Sequence, residues 1–567
     1  MEWWQKSVFY QIYPRSFADS NHDGIGDLPG IISKLDYLQD LGIDAIWLSP
    51  HYPSPLWDCG YDISDYRGVA PEYGTPQDFK DLLDGLHRRG MRLILDLVLN
   101  HTSNMHAWFQ RSLSGKGNPY RDWYIWRDGV NGGPPNNWYS TFGGSAWELD
   151  PITRQYYYHF FFKQQPDLNW RNEAVRQAMY DVMRYWMDLG VDGFRLDAIG
   201  TIFEDPALPN QQAPMSLTEL NRYRRTVTMP AENAWLDLVH QEMFKYQHDL
   251  PDIHGLLQEL RRVNDAYPGR ILVGETDRIE YYGNGSDELH MLFNFPLLHT
   301  DRLTSDWIRK NQLARLGSLP PGAWPCNTLG NHDSPRLLSH FGDGLHNAQI
   351  ARLNLACLLT LKGTPFLYNG EEIGMTDLLL TDIHQFRDML GVWVYESEIE
   401  QYGVSEASAL VDAARVTRDK CRTPMQWANQ ANGGFCSEGV APWLPVNPNY
   451  REGVNVAEQE KDPDSLLNFY RNFLRIRKTN PALVDGDFRL VDKASPVYLA
   501  YTRHSSSSGQ RLLIVGNFTL NTVKTDLLMT PAPGRLVFST HPRATDEADV
   551  AHLSLAPFEM LILELFQ

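Results

Sequence analysis

The order of short buried strands and amphipathic helices predicts an α/β chain built on a (β/α)8 barrel. Three observations carry this. Apolar strand-like runs alternate with helical stripes from the first residues onward, which means parallel strands joined by helices. Eight strand slots fall before residue 370, the number that closes a barrel. No G-x-G-x-x-G opens the first unit, which disfavours the alternative, an open doubly wound sheet.

Taken in order, Val8-Phe9-Tyr10-Gln11-Ile12 reads as the first buried strand. The helix after it carries Leu28, Ile31, Ile32, Leu35 and Leu38 at 3.6-residue spacing and stops at Gly42. Ala45-Ile46-Trp47-Leu48 is the second strand. Thr75 then caps a helix with Pro76 at its first position, Phe79, Leu82, Leu83 and Leu86 as its stripe, and Gly90 as its stop. Leu93 to Val98 is the third strand. Residues 102–170, rich in Gly, Pro, Asn, Trp and Tyr without clear period, read as a lobe inserted on one loop. Alternation resumes with a helix striped by Val175, Met179, Val182 and Trp186, ending at Gly190 before the strand Val191–Asp197. Later strands fall at 271–273, 291–293, 326–329 and 365–368. After about residue 480 short strands separated by polar turns (496–501, 512–515, 536–538, 560–563) predict a small all-β domain, a sandwich. The expected division is therefore 1–101 and 171–480 for the barrel, 102–170 for the lobe and 481–567 for the β-sandwich.

The chain of 567 residues is 43% hydrophobic and 21% charged, the composition of a folded soluble protein. A net charge of −19 argues against nucleic acid or an anionic membrane as partner. No apolar run is long enough to span a bilayer. Met1-Glu2-Trp3-Trp4 passes into a strand without a signal peptide, and five scattered cysteines show neither metal spacing nor a disulfide framework, so reduced thiols in a cytoplasmic protein are expected. The oligomeric state is left open.

Polar residues gather where strands finish, the face on which such barrels carry active sites. The third strand runs into Asp96-Leu97-Val98-Leu99-Asn100-His101, the fourth ends Arg195-Leu196-Asp197, the fifth Gly274-Glu275 and the seventh Asn331-His332-Asp333. Any one could be a capped strand or a structural ion pair. Arg195 and Asp197, two apart on a strand, share a face, and a guanidinium there favours the ionised acid, as a nucleophile requires. Several carboxylates converging on one cavity are costly unless chemistry uses them.

These segments resemble the first four signature regions of the α-amylase superfamily of glycoside hydrolases. Gln165-Pro166-Asp167-Leu168-Asn169 and the run Gly363 to Met375 resemble its oligo-1,6-glucosidase and α-glucosidase branch. The resemblance implies a TIM barrel and a retaining mechanism. Asp197 would be the nucleophile, Glu275 the acid and then base, and Asp333 the carboxylate that grips sugar hydroxyls. Asp96, His101 and His332 would hydrogen-bond the bound glucose. Leu56-Trp57-Asp58-Cys59-Gly60-Tyr61 resembles the segment that closes the glucose site in exo-acting members. Asp58 would bind the outermost hydroxyls, Tyr61 would stack on the ring and Arg418 would face Asp58, while Phe142 and Phe161 would be apolar walls. Ala198 follows the nucleophile where a Val accompanies α-1,6 preference, so α-1,4 bonds are expected, a preference one side chain sets by about 1–3 kcal/mol.

Asp19-Ser20-Asn21-His22-Asp23-Gly24-Ile25-Gly26-Asp27 spaces oxygen donors around a Gly turn, similar to the first part of an EF-hand loop. The family resemblance implies structural Ca2+ or Mg2+ here, held by Asp19, Asn21, Asp23 and Asp27 side chains and the Ile25 carbonyl. An Asx-rich turn without metal is the alternative. The competing functions are an oligo-1,6-glucosidase, a transglucosylase or a sucrose isomerase on the same scaffold. Isomerases of this branch carry Arg-Leu-Asp-Arg-Asp where this chain has His299-Thr300-Asp301-Arg302-Leu303, which disfavours isomerisation. A non-catalytic transporter heavy chain is disfavoured because the three carboxylates are kept and no anchor is present.

Overall fold

The computed structural model describes residues 1–227, 230–492 and 494–566. Its centre is a ring of parallel strands: β1 (Phe9–Ile12), β2 (Ala45–Leu48), β3 (Arg92–Val98), β4 (Gly193–Asp197), β5 (Ile271–Gly274), β6 (Met291–Leu292), β7 (Cys326–Thr328) and β8 (Thr364–Tyr368). They pair in the order β7-β8-β1-β2-β3-β4-β5-β6, and a parallel bridge between Phe293 and Cys326 joins the two ends. The eight expected strands are thus the barrel. Its interior is packed by Phe9, Trp47, Ile94, Val273, Met291, Phe293 and Phe366, with Phe9 and Phe366 stacked at 4.4 Å between centroids. Helix stripes cover the outside, where Leu82, Leu83, Leu86, Val175, Met179 and Trp186 are buried against the strands. Gly193 opens β4 at φ 154°, and a Cβ there would lie 2.3 Å from the Ile271 carbonyl, so the close approach of β4 to β5 requires glycine.

The helix expected from Leu28 onward is two helices, Leu28–Ile32 and Leu35–Leu41. Ser33 Oγ donates to the Gly30 carbonyl and takes up a backbone acceptor that a continuing helix would need. The helices Pro76–Arg88 and Glu173–Leu189 begin at Thr75 and Asn172, each of which caps with its side chain.

The lobe holds a three-stranded antiparallel sheet, 126–128, 155–158 and 147–149, whose pairing order places the last-formed strand in the middle. It is not hung on one loop alone. Its core of Trp138, Trp147, Tyr158 and Phe160 also takes Leu217, Leu220, Leu236 and Val239 from two helices that follow β4. A helical hairpin, 389–402 and 406–416, follows β8. Trp393 of that hairpin presses on Gly143 of the lobe, where a Cβ would come within 2.2 Å of the indole.

The C-terminal domain is a six-stranded antiparallel sheet, with a two-stranded ribbon (Val523–Lys524 and Ser554–Leu555) packed on one face. Tyr501, Leu512, Ile514 and Ile562 on the other face join the barrel's own hydrophobic layer. All five cysteines are free and buried.

Candidate active site

At the carboxyl ends of the strands, neighbouring inward positions carry charge. Asp96 on β3 lies level with Arg195 on β4, and Glu275 follows β5. Arg195 is 1% exposed and divides its guanidinium among three carboxylates. Its Nη1 donates to Asp96 Oδ1 and Asp197 Oδ1, both at 2.6 Å, and its Nη2 lies 2.7 Å from Glu275 Oε1. Asp96, fully buried, also accepts from Trp47 Nε1 at 2.9 Å and the Tyr61 hydroxyl at 3.1 Å. Glu275 Oε2 accepts the Ala198 N–H at 2.7 Å.

Burial pushes Asp96, Asp197 and Glu275 all upward, against the opposing pull of Arg195. For Asp197 burial is the largest push upward, with Glu275 and Asp96 adding to it, while Arg195 pulls towards the ionised form as the sequence suggested. Because the three carboxyls share one guanidinium, they titrate together rather than singly.

Asp333 behaves oppositely. Burial would raise it, but the two positive charges beside it, Arg422 and Arg418, hold it below the usual carboxylate range. Arg422 donates to Asp333 Oδ1 and, through Nε at 2.9 Å, to the His332 carbonyl, while Arg418 Nη1 stands 3.6 Å from Asp333. His332 is fully buried between Gln11 Nε2 (2.7 Å from Nδ1) and the Tyr61 hydroxyl (2.6 Å from Nε2). Burial pushes it well below its ordinary pKa, so it is a neutral imidazole.

The outer wall is also a network. Arg418 Nη2 reaches Asp58 Oδ1 at 2.7 Å, the clamp expected from sequence. It is braced from behind by Asp388, which takes Nε at 3.0 Å and Nη2 at 2.7 Å. Gln165 Nε2 donates to Asp58 Oδ2 at 3.0 Å and lies 2.9 Å from His101 Nε2. Burial pushes His101 down to about 4, so it too is neutral. Phe161 sits edge-on to His101 at 5.1 Å, and Phe142 packs against Phe161 at 5.5 Å with the Arg418 guanidinium 5.4 Å over its ring. Tyr61 stacks on His332 at 5.4 Å with its hydroxyl turned into the carboxylate trio.

Asp58, Tyr61, Asp96, His101, Phe142, Phe161, Arg195, Asp197, Glu275, His332, Asp333 and Arg418 are therefore drawn into one connected network. Sequence reasoning missed Arg422, Asp388, Gln165, Trp47 and Gln11 as members. Gln165 stood inside a run already singled out. Asp388, which also caps the helix 389–402, carried no local signal.

The loop 19–27 is wound by Asx turns. Asp19 accepts from the N–H groups of Asn21, His22 and Gly24, Asn21 from Asp23, and Asp23 from Ile25. Asp27 caps the next helix and accepts from Ser20. Among the described residues no three His, Cys, Asp or Glu side chains stand together as a metal-binding group. The donors are nonetheless the hard oxygens that Ca2+ takes, and Asp19 and Asp23 keep carboxylate lone pairs beyond these bonds.

Residues 11–486 match the model of the α-amylase catalytic domain. The chain belongs to the α-amylase family. It is 41% identical over 537 residues to an oligo-1,6-glucosidase of Parageobacillus thermoglucosidasius, covering 92% of this chain and 91% of the relative. It is 38% identical to the oligo-1,6-glucosidase of Bacillus cereus, covering 100% and 99%. Among solved structures, an isomaltulose synthase variant from Erwinia rhapontici NX5 with its natural substrate sucrose superposes at TM-score 0.88 with 38% identity, all of both chains being covered. Members of this family are glycoside hydrolases and related transglucosylases, so the protein is an enzyme of that class. No described helix is long and apolar enough to cross a membrane.

Proposed function

We propose that the protein is an exo-acting, retaining α-glucosidase that releases glucose from the non-reducing end of short α-glucosides, preferring α-1,4 bonds. The observation that carries this is Arg195 holding Asp197 and Glu275 on its two amino groups. One guanidinium spanning both favours the separation of about 5–5.5 Å that double displacement uses, over the wider gap of inverting enzymes. Asp197 attacks the anomeric carbon as the glycosidic C–O bond breaks, and a proton carried by Glu275 goes to the leaving oxygen. Glu275 then takes a proton from water, whose oxygen attacks the anomeric carbon and frees Asp197. Asp333, ionised by its arginines, accepts from sugar hydroxyls throughout. Sugar hydroxyls would also reach Asp96, His101 and His332.

The Asp58–Arg418 clamp, backed by Asp388 and Gln165, supports exo action, because it would meet the outermost hydroxyls of a terminal glucose and block a longer chain. Ala198 leaves room beside the leaving group, which supports the α-1,4 lean. The relatives' names supply the second reading, an oligo-1,6-glucosidase, and the sucrose-bound neighbour a third, sucrose isomerisation. Glucose release from maltose, isomaltose, trehalose, sucrose and p-nitrophenyl α-glucoside decides among them. Maltose is expected to outpace isomaltose; the reverse order favours α-1,6 action, and isomaltulose or trehalulose from sucrose favours the isomerase. We also propose that Asp19, Asn21, Asp23, Asp27 and the Ile25 carbonyl hold a structural Ca2+ or Mg2+.

A further inference from the structure

Ala198, directly after Asp197, is a non-glycine residue in the left-handed region, at φ 42° and ψ 41°. An L-residue avoids that conformation unless its surroundings hold it there. Here both sides of the residue are tied. Its carbonyl accepts from the Thr201 N–H at 3.0 Å and the Thr201 hydroxyl at 2.8 Å, and that hydroxyl oxygen also lies 3.1 Å from Asn100 Oδ1 just past β3. Its N–H is turned onto Glu275 Oε2 at 2.7 Å, while Arg195 occupies Oε1.

We propose that Ala198 is a positioning residue: its backbone N–H, the first after the nucleophile, donates to Glu275, fixing the carboxyl's orientation and opposing its protonation. The inference rests on the reading of Glu275 as the acid. An N–H donated to a carboxylate favours the ionised form, so it counters the burial that pushes Glu275 upward. Ala198 thereby tunes the proton donor through its main chain, without its side chain taking part.

The test replaces Ala198 by lactic acid through nonsense suppression, which exchanges the N–H for an ester oxygen and leaves the methyl in place. Folding is checked by circular dichroism and the thermal transition. With maltose as substrate, the alkaline limb of kcat/KM should move up by about 0.5–1 pH unit, because Glu275 loses a donor to its ionised form. Ala198→Gly, which keeps the N–H and adopts positive φ freely, should leave the limb where it is. An unmoved limb in the folded ester overturns the proposal, and so does an equal shift in Ala198→Gly. Glu275→Gln separates this from the underlying reading. With the acid gone, kcat/KM, which reports the first bond-breaking step, should fall far more for maltose than for an activated aryl glucoside, whose leaving group needs no proton. Equal losses of kcat/KM on both would refute the assignment of Glu275 itself.

Discussion

Arg195 shows how little a single pair explains here. Read along the strand, it belongs to Asp197; in the folded chain it also serves Asp96 and Glu275, and burial then outweighs it for all three. Replacing Asp197 by Asn should cut glucose release from maltose by about 10^4-fold or more. The thermal transition should hold or rise, since a neutral amide replaces a carboxyl whose charge is poorly compensated. Asp58→Asn weakens the clamp on Arg418 and should raise KM for maltose by about 10- to 100-fold, with a smaller effect on kcat. Steady-state kinetics separate the two parameters. Glu371, just after β8, is 5% exposed, and neither of its oxygens makes a well-formed hydrogen bond. Burial pushes its pKa up to about 8. The folded state therefore binds this proton more tightly than the unfolded chain does, and stability falls as pH rises from the ordinary carboxyl value towards 8. Glu371→Gln should raise the apparent Tm at pH 8 by roughly 1–3 °C and do little at pH 5, which calorimetry at the two pH values will show.

Among elements, the helix Asn347–Thr360 ends in the interior, where its last carbonyls need donors. Two fully buried arginines supply them. Arg477 donates to the carbonyls of Leu359, Leu483 and Gly363, and Arg503 to those of Thr360, Gly486 and Asp487. They join the helix before β8, the approach to β8 and the C-terminal sheet, with no buried carboxylate between them among the described residues, and a guanidinium at a helix C-terminus also suits the helix dipole. Arg477→Met strands three acceptors and should cost about 2–4 kcal/mol. A lowered thermal transition and faster proteolysis near residue 481 are the expected readouts. An unchanged pattern would mean that apolar contacts alone hold the C-terminal sheet in place.

For the whole molecule, ligands of one site come from far-apart stretches: Asp58 and Arg418 are 360 positions apart, Gln11 and His332 321. Such a site forms only when the barrel closes, so activity and the thermal transition should be lost together on heating. Chelation tests the loop 19–27 at the same scale, since it packs against residues 435 and 443. If the loop holds an ion, EDTA should lower the apparent Tm by several degrees and Ca2+ should restore it, as expected of a ligand that binds the folded state alone. No change would leave the Asx turns as the loop's whole structure.

The strands of the barrel, the helix stops and the strand-end carboxylates were legible in the sequence because period and capping are local properties: Gly42 and Gly190 end their helices in the left-handed region where their positions said they would. The lobe's sheet was hidden, since its strands are three or four residues long and owe their burial to aromatic packing against helices from another segment. Asp388 and Arg422 entered the site only through folding, which brings the loops after β7 and β8 together. Protonation, too, was decided by the tertiary structure. Residue types and spacing name the charges, but how many carboxylates share one guanidinium, and how dry they are, depends on which strands become neighbours.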